Sequence, residues 1–223
     1  MNRFQNIQAV TFDIGGTLID PWPSVGHVYA EVAARHGLKN LSAETLNQRF
    51  LAAWRARPDL VQTRAAWAEI VDQVFLGLAE RPPSQTFFPE LYQRFSEPGA
   101  WHIYEDVLPT LKTLDARGLR LGVISNWDDR LRPLLGKLGL ANHFQTLVVS
   151  CEAGSAKPAP AIFQNAASQL GVEGGAILHV GDSLEMDVQG ARNAGFNAVQ
   201  IVRASPKTGD GQIQSLLALA ALV

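Results

Sequence analysis

Five short runs rich in Val, Ile, Leu or Phe place the strongest limit on how this chain folds. The last four alternate with stretches whose apolar residues recur at helical spacing. Continuous apolar runs of this length are typical of parallel strands buried on both faces, and regular alternation of strand and helix indicates an open sheet covered by helices. The runs occupy residues 9–13, 119–125, 146–150, 176–180 and 197–202. We therefore predict an α/β fold built on a doubly wound parallel sheet.

The interval between the first two runs has a different character. It contains no convincing strand, yet it holds three apolar stripes at helical spacing, which is more helix than one strand-to-strand connection needs. The stripes begin at Val25, Leu46 and Trp67. We predict a helical cap subdomain over residues 21–99, inserted into a core formed by residues 1–20 and 100–223. Proline-containing turns at both edges would allow the chain to leave and re-enter the core.

The composition of the chain argues against several classes of protein. Lys and Arg number 19 against 21 Asp and Glu among 223 residues, so neither nucleic acid nor a membrane is an expected partner. The apolar run at 213–223 is shorter than the roughly 20 residues that cross a bilayer, and we interpret it as a terminal helix. A single Cys151 and the absence of a secretory pattern favour a cytoplasmic location. A monomer and a homodimer remain equally open.

Polar side chains follow four of the five apolar runs. Each has an ordinary explanation when taken alone, such as a helix cap or a solvated lysine. Together they occur in one chain order on what must be one edge of one sheet, where open α/β sheets bind ligands. The residues are Asp13 with Gly15, Gly16 and Thr17; Ser125 with Asn126; Lys157; and Asp182 with Asp187. We therefore expect these residues to form a single site.

In this series of motifs the sequence resembles the haloacid dehalogenase-like hydrolase superfamily over nearly the whole chain. The resemblance implies a Rossmann-like core and accounts for a helical cap between the first and second motifs. Trp127 after Ser-Asn, Trp67 in the insert and Ala100-Trp101-His102 at its end further resemble the type-3 domain-containing branch of that superfamily.

The resemblance implies a magnesium site. Asp13, the carbonyl of Gly15 and Asp182 would hold Mg2+, and Asp187 would join this set or position it. Oxygen ligands of this kind suit a hard divalent cation. Mg2+ is therefore the expected cofactor. The five histidines lack metal-ligand spacing, so zinc is not expected, and His179 inside an apolar run favours a structural role.

The resemblance also implies a small phosphorylated substrate. Asp13 would attack phosphorus to form an aspartyl-phosphate, with Lys157 as its catalytic partner. Thr17, Ser125, Asn126 and Lys157 would bind the phosphoryl oxygens and stabilise the charge that develops on them.

The sequence departs from the family pattern at Gly15. Phosphatases of this family usually carry there a second aspartate, which protonates the leaving group and then activates water. Losing a positioned acid-base group typically lowers the rate by about 10²–10⁴. Aryl and acyl phosphates would be affected least, because their leaving groups depart without a proton.

Three functions remain open from the sequence. The first is a Mg2+-dependent phosphate hydrolase with impaired acid-base catalysis, and the second is a catalytically silent phosphate-binding or scaffold protein. The third is a 2-haloacid dehalogenase, because halide also leaves without a proton. The acidic cluster argues against the third, since a dehalogenase works without Mg2+ and Asp182 would repel its anionic substrate.

Overall fold

The computed structural model describes residues 4–57, 61–203, 209 and 211–223. The chain divides into two compact units. One consists of the residues up to Ile19 together with those from Ile103 onward, and the other spans Asp20–His102. The sequence had placed the boundaries of the insert at 21 and 99.

The first unit is built on a six-stranded sheet in which every pairing is parallel. The strands of the chain are β1 (Ala9–Phe12), β2 (Ile19–Pro21), β3 (Trp101–Ile103), β4 (Arg120–Ser125), β5 (Thr146–Val149), β6 (Ile177–Gly181), β7 (Asn197–Ile201) and β8 (Gln212–Ile213). Their order in the large sheet is β5-β4-β1-β6-β7-β8. The predicted α/β class with a Rossmann-like parallel sheet is confirmed, and all five predicted strands are present.

Helices connect and cover these strands. The chain forms α1 (Val25–Arg35), α2 (Ala43–Arg55), α3 (Arg64–Val74), α4 (Phe88–Arg94), α5 (Val107–Ala116), α6 (Leu131–Lys137), α7 (Ser150–Ala153), α8 (Pro160–Leu170), α9 (Gly190–Asn193) and α10 (Leu219–Leu222). A π-helical segment, Leu184–Gln189, precedes α9. In the first unit, Ile162 and Phe163 of α8 lie fully buried beside Ile124 of β4. Burying each such side chain contributes about 1.5–3 kcal/mol, which fixes the strands that carry the site.

The second unit contains α1 to α4 around its own apolar core. Ser24, Ser42 and Thr63 cap α1, α2 and α3 by accepting a hydrogen bond from a backbone N–H of the first turn. The core includes the fully buried Ile70 and Val74. The predicted stripes therefore form three of these helices, whereas α4 follows Pro83 and Phe87 in a stretch whose short apolar pattern did not indicate a helix.

Turns at the edges of the insert and a terminal helix are present as expected, but strand pairing adds to both regions. The edges of the insert are not simple turns, because β2 and β3 pair with each other and the Trp22 N–H donates to the Ala100 carbonyl at 2.8 Å. The run at 213–223 does not form one helix, because Ile213 pairs with Ile201 as the edge strand β8 before the short α10 begins. Among the described residues, no helix is both long enough and apolar enough to span a membrane.

Candidate active site

Three adjacent strands deliver polar side chains to one edge of the sheet. Phe12 at the end of β1 is opposite Val123 of β4 and Val180 of β6, so Asp13 emerges between these two strands. The Asp13 N–H donates to the Val180 carbonyl at 2.9 Å, which fixes the backbone at this point. Ser125 ends β4 and lies beside Asp13.

The carboxylate of Asp13 is buried and accepts two hydrogen bonds on Oδ1. Ser125 Oγ donates at 2.9 Å and Lys157 Nζ donates at 2.6 Å. Burial raises the pKa of Asp13, and the positive charge of Lys157 opposes that rise. The ammonium group therefore favours the ionised form, which is the form able to act as a nucleophile.

Lys157 is shared between two carboxylates. Its Nζ also donates to Asp187 Oδ1 at 2.5 Å. Burial alone would lower the pKa of Lys157, but Asp13 and Asp187 raise it above its usual value, so the group stays cationic. The Asn126 amide fixes the backbone of this residue, since Nδ2 donates to the Lys157 carbonyl at 2.9 Å and Oδ1 accepts from the Lys157 N–H at 2.8 Å. Asn126 thus positions Lys157, and its phosphate contact stays a prediction.

Three carboxylates converge at a position suited to a cation. One oxygen from each of Asp13, Asp182 and Asp187 lies within 4.8 Å of the others. Partial burial, followed by the charges of Asp13 and Asp187, raises the pKa of Asp182 to about 7, although part of its side chain is exposed to solvent. Three acidic groups against one lysine leave negative charge uncompensated. These residues fit a hard divalent ion with oxygen ligands.

Gly16 makes room for this arrangement. Its φ is +71°, and a Cβ there would lie 2.7 Å from Asp182 Oδ2. Only glycine satisfies both conditions without displacing the carboxylate. The carbonyl of Gly15, predicted as a further cation ligand, stays a prediction.

Asp187 is held by protein donors on both of its oxygens. Lys157 Nζ and His179 Nε2 approach Oδ1 at 2.5 and 3.3 Å, and the Ser183 N–H donates to Oδ2 at 2.9 Å. Burial would raise the pKa of Asp187, but Lys157 and His179 hold it well below its usual range. A Cβ at Gly181 would lie 2.1 Å from Asp187 Cγ, so the strand end is shaped around this carboxylate. The contacts favour a positioning part for Asp187 over direct coordination.

The indole of Trp127 lies beside the position that lacks an aspartate. A Cβ at Gly15 would make an ordinary contact of 3.4 Å with Trp127 Cζ3. The backbone of Trp127 is anchored because its N–H donates to Ser150 Oγ at 3.1 Å and its carbonyl accepts from the same hydroxyl at 3.2 Å. The ring is therefore placed where a side chain at residue 15 would begin.

Thr17 is less accessible than its predicted phosphate contact requires. Its side chain is fully buried, and its Oγ1 has no hydrogen-bond partner among the described residues. The Thr17 carbonyl accepts hydrogen bonds from Arg203. The structure thus places Thr17 in the packed turn that follows Asp13, and its contact with substrate stays a prediction.

Sequence reasoning missed the connection of His179 to the site. The residue is fully buried within β6, as its apolar neighbours indicated. Its ring nevertheless contacts both Thr11 Oγ1 at 3.0 Å and Asp187 Oδ1 at 3.3 Å. Because side chains alternate along a strand, residues 179 and 181 of β6 lie on the same face. This was the only sequence signal that linked His179 to the site.

Comparisons with known proteins identify the family of the chain. A family model described as haloacid dehalogenase-like hydrolase matches residues 7–195. Haloacid dehalogenase-like hydrolase domain-containing protein 3 of Homo sapiens is 35% identical over 207 residues, which cover 88% of this chain and 82% of that protein.

Two solved structures are similar across almost the whole chain. A haloacid dehalogenase-type phosphatase from Thermococcus onnurineus is 28% identical with a TM-score of 0.71, covering 96% of this chain and 97% of that one. A 2-haloacid dehalogenase from Pseudomonas syringae pv. Tomato is 26% identical with a TM-score of 0.67, covering 97% of each chain. The sequence match and the shared architecture show that this chain belongs to the haloacid dehalogenase-like hydrolase family.

Proposed function

We propose that this hydrolase cleaves small phosphate esters or activated phosphates through a covalent intermediate on Asp13, with Mg2+ as cofactor. The observation that carries the proposal is the convergence of Asp13, Asp182 and Asp187 within 4.8 Å, beside the buried ammonium of Lys157. A nucleophile, a cation site and a fixed positive charge at one sheet edge are what phosphoryl transfer requires.

The reaction takes place in two displacements. An oxygen of Asp13 forms a bond to phosphorus while the bond to the leaving oxygen breaks, and the leaving group keeps the electron pair. Water then attacks phosphorus and loses a proton to solvent, the bond to Asp13 breaks, and phosphate departs with the carboxylate restored. Lys157 and Ser125 both contact Asp13 Oδ1, so they are placed to orient the nucleophile and to donate to phosphoryl oxygens as charge develops.

The cation would be held by Asp13 and Asp182, with the Gly15 carbonyl as a further ligand. A bound Mg2+ supplies positive charge that offsets the repulsion between an anionic nucleophile and an anionic phosphate. Burial first, and then the negative charges of Asp13 and Asp187, raise the pKa of Asp182, and a cation beside this carboxyl would favour its ionised form, which supports the assignment.

Gly15 narrows the substrate class. Gly15 offers no group that can protonate an alkoxide. The neighbouring atom of Trp127 is the ring carbon Cζ3, which is not an acid either. Leaving groups that depart as stable anions, such as phenolates and carboxylates, need no such proton. We therefore expect aryl and acyl phosphates to react faster than alkyl phosphates.

Dehalogenation is the competing activity that a relative's name suggests, and Gly15 is compatible with it. A 2-haloacid carries a carboxylate, which the charges of Asp182 and Asp187 would repel in the absence of a cation. The acidic cluster therefore favours phosphate chemistry with a divalent ion.

Turnover of p-nitrophenyl phosphate and acetyl phosphate tests the proposal. We expect hydrolysis that requires Mg2+, stops in EDTA and is lost in Asp13→Asn. Asp115→Asn on the exposed face of α5 is the matched control and should hydrolyse both substrates like the unchanged protein. Equal rates in Asp13→Asn would exclude this nucleophile.

Two further assays, run beside the turnover measurement, separate the other two functions. Binding of Mg2+ and a phosphate analogue without turnover of any ester would identify a silent binding protein. Chloride release from 2-chloropropionate in EDTA, without phosphatase activity, would identify a dehalogenase.

A further inference from the structure

His179 forms the middle of a buried polar chain that ends at the nucleophile. Its Nδ1 lies 3.0 Å from Thr11 Oγ1 on the neighbouring strand β1, and its Nε2 lies 3.3 Å from Asp187 Oδ1. The Phe163 ring packs against it in a T-shaped arrangement, with ring centroids 5.3 Å apart and an interplanar angle of 86°. The imidazole is therefore fixed in the plane that joins its two polar neighbours.

These contacts specify which ring nitrogen carries hydrogen. Lys157 and the Ser183 N–H keep Asp187 ionised, so its carboxylate can only accept, and His179 Nε2 must donate to it. In the neutral ring Nδ1 then has a lone pair, and Thr11 is the donor to it.

We propose that His179, anchored by Thr11, is a positioning residue that holds Asp187 in the orientation aiming Lys157 at Asp13. The inference rests on the proposed function for its consequence in catalysis, although its structural part does not. It gives a part in the site to a histidine whose burial in a strand otherwise indicates packing alone.

The number of hydrogen-bond donors on Asp187 explains why the contact with His179 affects the orientation of its carboxylate. Lys157 and His179 share Oδ1, while Oδ2 is occupied by the Ser183 N–H. Three donors from separate elements fix the rotation of the carboxylate. Without the His179 donor, Oδ1 is held only by Lys157, whose flexible chain is also drawn toward Asp13. The contribution of the ring is therefore to the orientation of the carboxylate.

Two amide substitutions separate positioning from packing. The side-chain nitrogen of Gln reaches about as far as Nε2 of histidine, whereas that of Asn reaches only about as far as Nδ1. His179→Gln can thus preserve the donor to Asp187, and His179→Asn preserves only the contact with Thr11. Both place a neutral amide in the same buried space.

The experiment has two readouts, of which the first needs no activity. Long-range ¹H–¹⁵N correlation spectra of the full chain, with the His179 ring assigned by its loss in His179→Gln, report whether Nε2 carries hydrogen. We expect the hydrogen on Nε2. A ring with hydrogen only on Nδ1 would overturn the inference whether or not the protein hydrolyses phosphates.

The second readout is steady-state turnover of p-nitrophenyl phosphate with thermal unfolding measured in parallel. We expect His179→Gln to keep kcat within about threefold, and His179→Asn to lower kcat by about tenfold or more while KM changes little, because an interaction strengthened in the transition state is lost. Equal kcat in the two variants, measured below both unfolding transitions, would overturn the positioning part. Absence of turnover in the unchanged protein would instead count against the proposed function.

Discussion

The single ammonium group of Lys157 sets the charge balance of the site. It contacts Asp13 and Asp187, while the third carboxylate, Asp182, has no cationic side chain among its described contacts. The pKa of Asp187 is accordingly lowered, and that of Asp182 is raised to about 7. The pKa of Asp182 is raised by burial and by the charges of Asp13 and Asp187, whereas the direct contacts of Asp187 with Lys157 and His179 outweigh its burial.

Replacement of Asp182 by Asn should stabilise the metal-free protein above about pH 8 and abolish its stabilisation by Mg2+. A carboxyl group whose folded pKa is raised loses stability as pH rises through the folded value, here about 7. The gain should be on the order of 1 kcal/mol, because solvent screens the exposed group. Thermal unfolding with and without Mg2+ measures both effects. An unchanged response to Mg2+ in the variant would remove Asp182 from the cation site.

Restoring an acid at residue 15 should act selectively on poor leaving groups. Gly15→Asp should raise kcat/KM for alkyl phosphates by about tenfold or more, within the range of general acid catalysis, with little change for p-nitrophenyl phosphate. Gly15→Ala is the matched control, since its Cβ makes the same 3.4 Å contact with Trp127 but moves no proton. An equal gain in Gly15→Ala would show that side-chain volume, and not proton transfer, is responsible.

At the scale of elements, Asp106 joins the start of α5 to the end of the chain. Its carboxylate accepts from Arg203, from Ser215 Oγ at 2.8 Å and from the Leu216 N–H at 2.8 Å. The Arg203 guanidinium lies over the Tyr104 ring, 3.6 Å from its centroid, and also donates to the Thr17 carbonyl. This network thus links three segments to the turn that follows the proposed nucleophile.

Asp106→Asn should lower the free energy of unfolding by about 1–3 kcal/mol at neutral pH, because partly buried donors lose a charged acceptor. Burial opposes ionisation, but the hydrogen bonds from Arg203, Leu216 and Ser215 lower the pKa of Asp106 below 3.8. Its contribution is therefore present above the unfolded pKa and is lost as pH falls through the folded one.

Urea unfolding across acidic pH checks this linkage. The difference between Asp106→Asn and the unchanged protein should shrink as pH falls below about 4. Asp115→Asn on the same helix should leave unfolding unchanged. A difference that stays constant with pH would show that the carboxylate is not held ionised by its neighbours.

The central strands could be predicted from sequence, whereas several connections could not. Buried parallel strands are continuous apolar runs, so the ends of β4, β5 and β6 were placed within a residue or two. The pairing of β2 with β3 joins short segments far apart in the chain, and β8, which pairs with β7, has only 2 residues, so neither pair leaves a local pattern. Hydrogen bonds between strands likewise leave no local pattern in the sequence. The contact between Thr11 and His179 needs the pairing of β1 with β6 before it can be inferred.

At the scale of the whole molecule, the candidate site is assembled from segments far apart in the chain. Asp13, Ser125, Lys157 and Asp187 meet because β1, β4, β5 and β6 end at one edge of one sheet, with Lys157 in the connection after β5. The order of motifs along the sequence therefore predicted the convergence. Individual contacts, such as the placement of Trp127 beside Gly15, could be seen only in the structure, because no sequence spacing specifies them.

The central claim is that Asp13 is the nucleophile that forms a bond to phosphorus. Rapid quenching of the protein with Mg2+ and ³²P-labelled acetyl phosphate measures this directly. Because Gly15 leaves no residue at that position to activate water, the covalent species should hydrolyse slowly and accumulate toward about one phosphoryl group per chain. We predict a hydroxylamine-sensitive label on the peptide containing Asp13, absent in Asp13→Asn and in EDTA. Phosphate release without such a label, or a label that persists in Asp13→Asn, would contradict it.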